Sequence, residues 1–312
     1  MNRRTMVIGA VLVLFGLPAI LALIDGVTFF VRNRNNGSLI SSGQKRKYLL
    51  YVPRSYDRSR PAPLVISMHG AGTWPVQQME LSEWNRLAES QGFIVVYPSG
   101  IGSAGPRVWH VGGENDVRFI SELIDKLEAA YNIDPARIYA NGFSNGGCMS
   151  FVLSCALSDR IAAVGMVGAA QTLPWSWCTD HRPVPMIAFH GTADSFAPYN
   201  GGASWVAPDR FPNIPAWTAN WARRNRCAPD PVESAVAADV TRREYTNCAD
   251  SAAVVLYTIR GGGHSWPGGG PLPEWFVGPT SRSIDATSEM WAFFRAHPLL
   301  RERPGVVSRL NR

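Results

Sequence analysis

No run of five or six like charges occurs anywhere in the 312 residues, and no basic stripe carries aromatic side chains between its charges. The excess of Lys+Arg 30 over Asp+Glu 24 is small and scattered, a balance that argues against nucleic acid as a partner. Cysteine is scarce: five residues, without CxxC spacing and without a companion cluster of histidines, which argues against a structural zinc site. Internal repeats and low-complexity blocks are also missing. Charged residues amount to 17% against 46% hydrophobic, so the chain can bury a sizeable core and is not of the disordered type. The length allows one large domain or two small ones, and the alternation of apolar runs with helical patterns makes it α/β.

Only one apolar run is long. Residues 6–24 carry no charge and follow Arg3 and Arg4. Nineteen residues approach the roughly 20 that a helix needs to cross a bilayer, and exceed the roughly 7–15 of a signal-peptide core. The expected organisation is therefore an N-terminal membrane anchor or export signal over 1–32 and a polar linker over 33–46. A catalytic domain over 47–300 and a basic tail over 301–312 follow. The body is expected outside the cytoplasm, tethered to the membrane through the first segment. In an oxidising compartment Cys227 and Cys248 flank a polar stretch where a disulfide would close a loop. Cys155 and Cys178 form a possible second pair, leaving Cys148 as a buried thiol; five reduced cysteines are the alternative.

Strands are predicted at 47–52, 63–69, 93–97, 137–140, 162–167, 185–190 and 253–259. Several are apolar throughout, as in a parallel sheet covered on both faces. Helices are predicted from about 116 to 131 with Asn115 as cap, over 80–91, from about 146, and over 283–297. The architecture implied is a mostly parallel sheet with helices on both faces.

The chemistry is concentrated at strand ends. Gly142-Phe143-Ser144-Asn145-Gly146 fits G-x-S-x-G between a predicted strand and a predicted helix. A sharp strand-to-helix turn lifts the Ser144 hydroxyl above the sheet edge, and the helix points its first N–H groups at developing negative charge. A serine nucleophile needs a base, and the base needs a carboxylate to orient it. Asp194 in His190-Gly191-Thr192-Ala193-Asp194 and His264 in the glycine-rich segment Gly261-Gly262-Gly263-His264 follow later strands. The order Ser, Asp, His is the one this strand-turn-helix nucleophile uses. His69-Gly70-Ala71-Gly72 reads as an oxyanion loop, so the N–H groups of Ala71 and Asn145 are the expected donors. His190 reads as a packing or loop-stabilising residue. Trp74, Trp109 and Trp266 are the expected substrate contacts, with Trp275 and Phe276 also flanking His264. No metal and no organic cofactor is expected.

Together these segments resemble the esterase family that includes polyhydroxybutyrate depolymerases, feruloyl esterases and acetyl xylan esterases. The resemblance runs from about residue 47 to 297. It rests on His69-Gly70, Asn115-Asp116-Val117 with Phe119, Gly142-Phe143-Ser144-Asn145-Gly146-Gly147, His190-Gly191-Thr192-Ala193-Asp194 with Pro198-Tyr199, and the segment 261–268. It implies an α/β-hydrolase fold, a Ser144–Asp194–His264 triad attacking carboxylic esters, and a Cys227–Cys248 pairing. Asn115, where an acidic residue is expected, and Cys148, where Met is usual, depart from the family pattern. The expected substrates are small or oligomeric esters: polyhydroxybutyrate-type oligomers, or feruloyl or acetyl esters. A serine peptidase of the same fold and a non-catalytic, membrane-tethered binding protein are the alternatives. The sequence does not specify an oligomeric state.

Overall fold

The computed structural model describes residues 34–102, 107–178, 182–204 and 210–300. The anchor or signal expected over 1–32 and the basic tail over 301–312 lie outside these residues, and no helix among them is long and apolar enough to cross a membrane.

The first strands are β1 (Gly37–Ser41), β2 (Gln44–Tyr51), β3 (Ala62–Met68), β4 (Ile94–Pro98), β5 (Ile133–Phe143) and β6 (Ala163–Val167). They are followed by β7 (Met186–Gly191), β8 (Gly202–Ala203), β9 (Arg210–Phe211), β10 (Val232–Ala237), β11 (Val240–Tyr245) and β12 (Val254–Ile259). The helices are α1 (Pro75–Ser82), α2 (Trp84–Gln91), α3 (Glu114–Ala130), α4 (Asn145–Ala156), α5 (Ile214–Arg224), α6 (Glu274–Val277) and α7 (Ala286–Ala296).

Ten strands form one sheet in the order β1-β2-β4-β3-β5-β6-β7-β12-β11-β10. From β4 to β12 every pairing is parallel, and the pairs at both edges are antiparallel. Strands β3, β4, β6 and β7 are buried along their whole length because helices cover both faces. Alternate residues serve opposite layers. Leu64, Ile66 and Met68 face a core with Phe119, Ile120, Leu123, Phe151 and Trp221 of α3, α4 and α5. Val65 faces the other core, where Trp84 and Ala88 of α2 meet Met290, Trp291 and Phe294 of α7. The expected mostly parallel, doubly covered α/β sheet is therefore present.

Three local expectations are corrected. The stretch read as a linker, 33–46, contains β1 and the start of β2, paired antiparallel from Gly37 opposite Tyr48 to Ser41 opposite Gln44. Its polar residues mark a sheet edge facing water rather than a free tether. Asn115 does not cap the long helix: α3 begins at Glu114 after Gly113, and Glu114 and Asp116 place negative charge in its first turn. The helix expected over 80–91 is two, broken at Glu83 with φ 51°. The stretch between Cys227 and Cys248 holds the β10–β11 hairpin. Neither strand is continuously apolar and β10 is exposed along most of its length, so composition alone resembles a loop there.

Both cysteine pairs are bonded, Cys155 to Cys178 and Cys227 to Cys248, so the fully reduced alternative is set aside. Each closes a loop of some twenty residues, which in the chain-entropy picture contributes about 3 kcal/mol. Cys148 is free and buried, and burial pushes its thiol up to about 12.

Candidate active site

Ser144 sits between the last residue of β5 and the first of α4, with φ 53° and ψ −121°. A non-glycine residue there stores strain of about 1–3 kcal/mol, which the surrounding structure must over-determine. Close backbone packing does so. A Cβ on Gly142 would collide with the Gly146 backbone, and a Cβ on Gly146 would collide with the carbonyl oxygens of Met68 and His69. The Ser144 N–H donates to the Val167 carbonyl at 2.9 Å, and the Ser144 carbonyl accepts the first helical bond, from Cys148, at 3.0 Å. The hydroxyl is thereby held half-buried at the positive end of α4.

Asp194 and His264 arrive from the ends of β7 and β12, which pair in parallel. His264 Nδ1–H donates to Asp194 Oδ2 at 2.8 Å, which leaves Nε2 as the basic nitrogen. Asp194 Oδ1 accepts from the Phe196 and Ala197 N–H groups, both at 2.8 Å. Burial opposes ionisation of Asp194, but His264, His190 and the Ala197 N–H outweigh it and hold the carboxyl below the usual carboxylate range. The His264 ring lies over Phe143, with centroids 4.8 Å apart, and a Cβ on Gly168 would press on that ring, so the imidazole adjoins the strand ends that carry Ser144. His190 Nε2–H donates to the Ala197 carbonyl at 2.7 Å and stands 3.6 Å from Asp194 Oδ2. It braces the turn that carries the carboxylate, as a loop-stabilising residue should.

The segment after β3 is organised by His69. Its Nε2 accepts from the Gly100 N–H at 3.0 Å, so the proton is on Nδ1, which donates to the Gly70 carbonyl at 2.8 Å. Burial drives this imidazole down to about 4, keeping it neutral. Thr73 Oγ1–H adds a bond to the same Gly70 oxygen, and the Gly72 N–H donates to Arg107. The exposed Ala71 is held between these anchors, and Gly70 adjoins the Ser144 Cβ. Across the gap, the Asn145 side chain accepts from the Trp109 N–H at 2.7 Å and donates to the Trp109 carbonyl at 3.1 Å. That side-chain role is not legible from G-x-S-x-G, because the partner lies 36 residues earlier.

The expected tryptophan contacts divide. Trp266 is 0% exposed, and its indole N–H donates to Thr287 Oγ1 at 2.9 Å, so it belongs to the core beneath α7 and not to a substrate rim. Trp109 is also buried, donating to the His69 carbonyl at 3.0 Å. Trp74 is half-buried just before α1. The rings nearest the outer side of His264 are instead Phe196, stacked on it at 4.7 Å and 17°, and then Phe276. The sequence held one signal for Phe196, its place two residues after Asp194. Among the described residues no group of three or more His, Cys, Asp or Glu is arranged to hold a metal ion.

The chain is similar to known esterases. The Phospholipase/Carboxylesterase family profile matches residues 111–206, which include Ser144 and Asp194. Feruloyl esterase B of Piromyces equi is 32% identical over 230 residues, 70% of this chain; the chain spans only 42% of that relative's length. A probable feruloyl esterase C of Aspergillus clavatus is 31% identical over 267 residues, 84% of this chain and 86% of the relative. Among solved structures, an acetyl xylan esterase from Aspergillus awamori superposes with a TM-score of 0.58 at 17% identity, covering 83% of this chain and 98% of that one. That likeness establishes the α/β-hydrolase fold.

Proposed function

The chain belongs to the α/β-hydrolase esterase family of the feruloyl esterases, and from that premise we propose that it is a serine carboxylic-ester hydrolase working through Ser144, His264 and Asp194. The observation that carries the reading is the 2.8 Å bond between His264 Nδ1 and the ionised Asp194, beside a serine held in a strained turn at a helix N-terminus.

In this mechanism His264 Nε2 takes the proton as Ser144 Oγ attacks the ester carbonyl. Asp194 holds the imidazole in the Nδ1–H tautomer and stabilises its cation without taking the proton. The N–H groups of Ala71 and Asn145 bind the oxyanion, a contribution worth about 3–4 kcal/mol per donor in comparable sites. His264 then gives its proton to the departing alkoxide, leaving an acyl-enzyme. Water activated by the same nitrogen releases the acid.

The substrates proposed are feruloyl or acetyl esters of saccharides, with polyhydroxybutyrate-type oligomers as the competing class. The two disulfides and the apolar run at 6–24 support a body outside the cytoplasm, tethered through residues 1–32. Cell fractionation with mass spectrometry of the mature chain tests the tether: a soluble product beginning near residue 25–40 would replace it with a cleaved signal. A fluorophosphonate probe tests the chemistry. It should label the wild-type protein and not Ser144→Ala, and the wild type should hydrolyse members of a p-nitrophenyl, feruloyl, acetyl-xylan and hydroxybutyrate-oligomer panel. Near wild-type turnover by folded Ser144→Ala would overturn the assignment.

A further inference from the structure

The two oxyanion donors of the proposed mechanism stand on different turns, and the sheet alone does not set the distance between them. The ladder between β3 and β5 ends at Met68 opposite Gly142, three residues short of Ala71 and of Asn145. Asn145 opens α4, so its N–H has no acceptor within the helix, and the Ala71 N–H makes no bond among the described residues. Trp109, buried between them, bonds both turns. Its indole N–H donates to the His69 carbonyl at 3.0 Å, just ahead of Ala71. Its backbone is gripped by the Asn145 side chain: the Trp109 N–H donates to Oδ1 at 2.7 Å, and the Trp109 carbonyl accepts from Nδ2 at 3.1 Å. The indole also packs against the His69 ring, with centroids 5.3 Å apart.

Trp109 is itself anchored through both chain neighbours. Val108 exchanges backbone bonds with Ile101, at 3.1 and 2.9 Å. The His110 N–H donates to Asp116 Oδ2 at 2.8 Å, and Oδ1 of that buried carboxylate accepts from Arg46 at 2.7 Å. Arg46 belongs to β2 and Asp116 to α3, so the bridge is fixed to the sheet and to a long helix rather than to loop. An oxyanion donor helps only if it is already aimed when charge develops, and a misplacement of about 1 Å can cost about 100-fold. Two N–H groups on separate turns keep one spacing only where something rigid joins the turns. We propose that Trp109 is a positioning residue, linking the His69–Ala71 turn to the head of α4 and thereby setting the spacing of the two oxyanion donors. This rests on the ester-hydrolase reading above and gives Trp109 a role other than contact with substrate.

The two ends of the link act in series, and the test cuts each of them. Trp109→Phe keeps a buried ring and removes the bond to His69. Asn145→Ala removes the bonds to Trp109 and keeps the backbone N–H. Each should lower kcat on p-nitrophenyl acetate roughly 10- to 100-fold with KM within about twofold, and the double variant should be no worse than the poorer single one. Trifluoroacetophenone supplies a second readout: Ser144 Oγ adds to its carbonyl, the π pair becomes an oxyanion, and the serine proton passes to His264. Its inhibition constant should rise by the same factor as kcat/KM falls. Losses that multiply in the double variant would mean two independent packing effects, and wild-type kcat in either folded single variant would mean no link; both results overturn the proposal. Reduced stability in urea with ketone affinity unchanged also overturns it, and if Trp109→Phe does not fold, Asn145→Ala decides by the same ketone measurement. Wild type that neither turns over the ester nor binds the ketone overturns the hydrolase reading and this role with it. An active wild type with unaffected variants overturns the positioning role alone.

Discussion

At the ends of β3 and β5 the chain is held by backbone against backbone, with Gly142 and Gly146 packed so closely that neither accepts a Cβ. At the ends of β7 and β12 it is held by hydrogen bonds: Asp194 accepts from two backbone N–H groups and from His264, and His190 secures the turn between. The nucleophile side needs one strained conformation of one residue, which close packing supplies. The acid-base side must keep a carboxylate ionised inside protein and an imidazole in one tautomer, which only directed donors supply. In the proposed mechanism, packing aims the serine and hydrogen bonding tunes the base.

The sharpest break of this division is chemical. Ser144→Ala and His264→Ala should each lower kcat by roughly 10⁴–10⁶, and the double variant should be no worse than either, because the residues act as a unit. Additive losses in single-turnover assays on folded protein would mean that the two sides do not act together. Asp194→Asn should cost somewhat less, roughly 10³–10⁴ in kcat with KM little changed, because it keeps the shape and loses the tautomer control. A kcat within tenfold of wild type would remove Asp194 from the site.

Two smaller effects separate packing from hydrogen bonding through stability. Gly146→Ala, forced against the Met68 and His69 carbonyls, should cost about 3 kcal/mol or more in urea unfolding. Gly261→Ala, at φ +72° with nothing within 4 Å, should cost about 1 kcal/mol. Similar costs would mean that the jammed turn relaxes. The second effect is a pH dependence. Burial drives His69 down to about 4 in the folded state, against about 6.5 unfolded. Between those values the unfolded chain binds a proton that the folded chain does not, so stability falls as pH drops through that window, by up to about 1.4 kcal/mol per unit. His190, lowered mainly by burial, acts in the same direction. His69→Gln should flatten the loss between pH 7 and 4.5, measured by urea unfolding against wild type; parallel curves would refute the account.

Much of the frame was legible along the chain. The apolar runs at 63–69, 93–97, 162–167 and 185–190 mark strands buried on both faces, and each reappears within a residue or two as β3, β4, β6 and β7. A continuous apolar run is an intrinsic pattern that needs no knowledge of its neighbours. The edge strands escaped for the opposite reason. Residues 37–41 and the β10–β11 hairpin leave most side chains at least partly open to water, so their composition resembles loop, and only pairing makes them strand.

The order Ser144, Asp194, His264 is likewise written in the sequence, because a G-x-S-x-G turn and two strand-end motifs are local features. What surrounds them is not. Trp266 and Trp275 both look like rim residues beside His264, yet one is sealed beneath α7 through Thr287, whose hydroxyl bonds the Ser82 carbonyl 205 residues away, and the other stands in water. Composition and spacing determined the α/β class, the nucleophile turn and the cysteines available for bonding. Tertiary structure decided which histidine stayed neutral and which aromatic rings reached the solvent. Those outcomes depend on burial and on partners distant in sequence, and a chain read in one dimension carries neither.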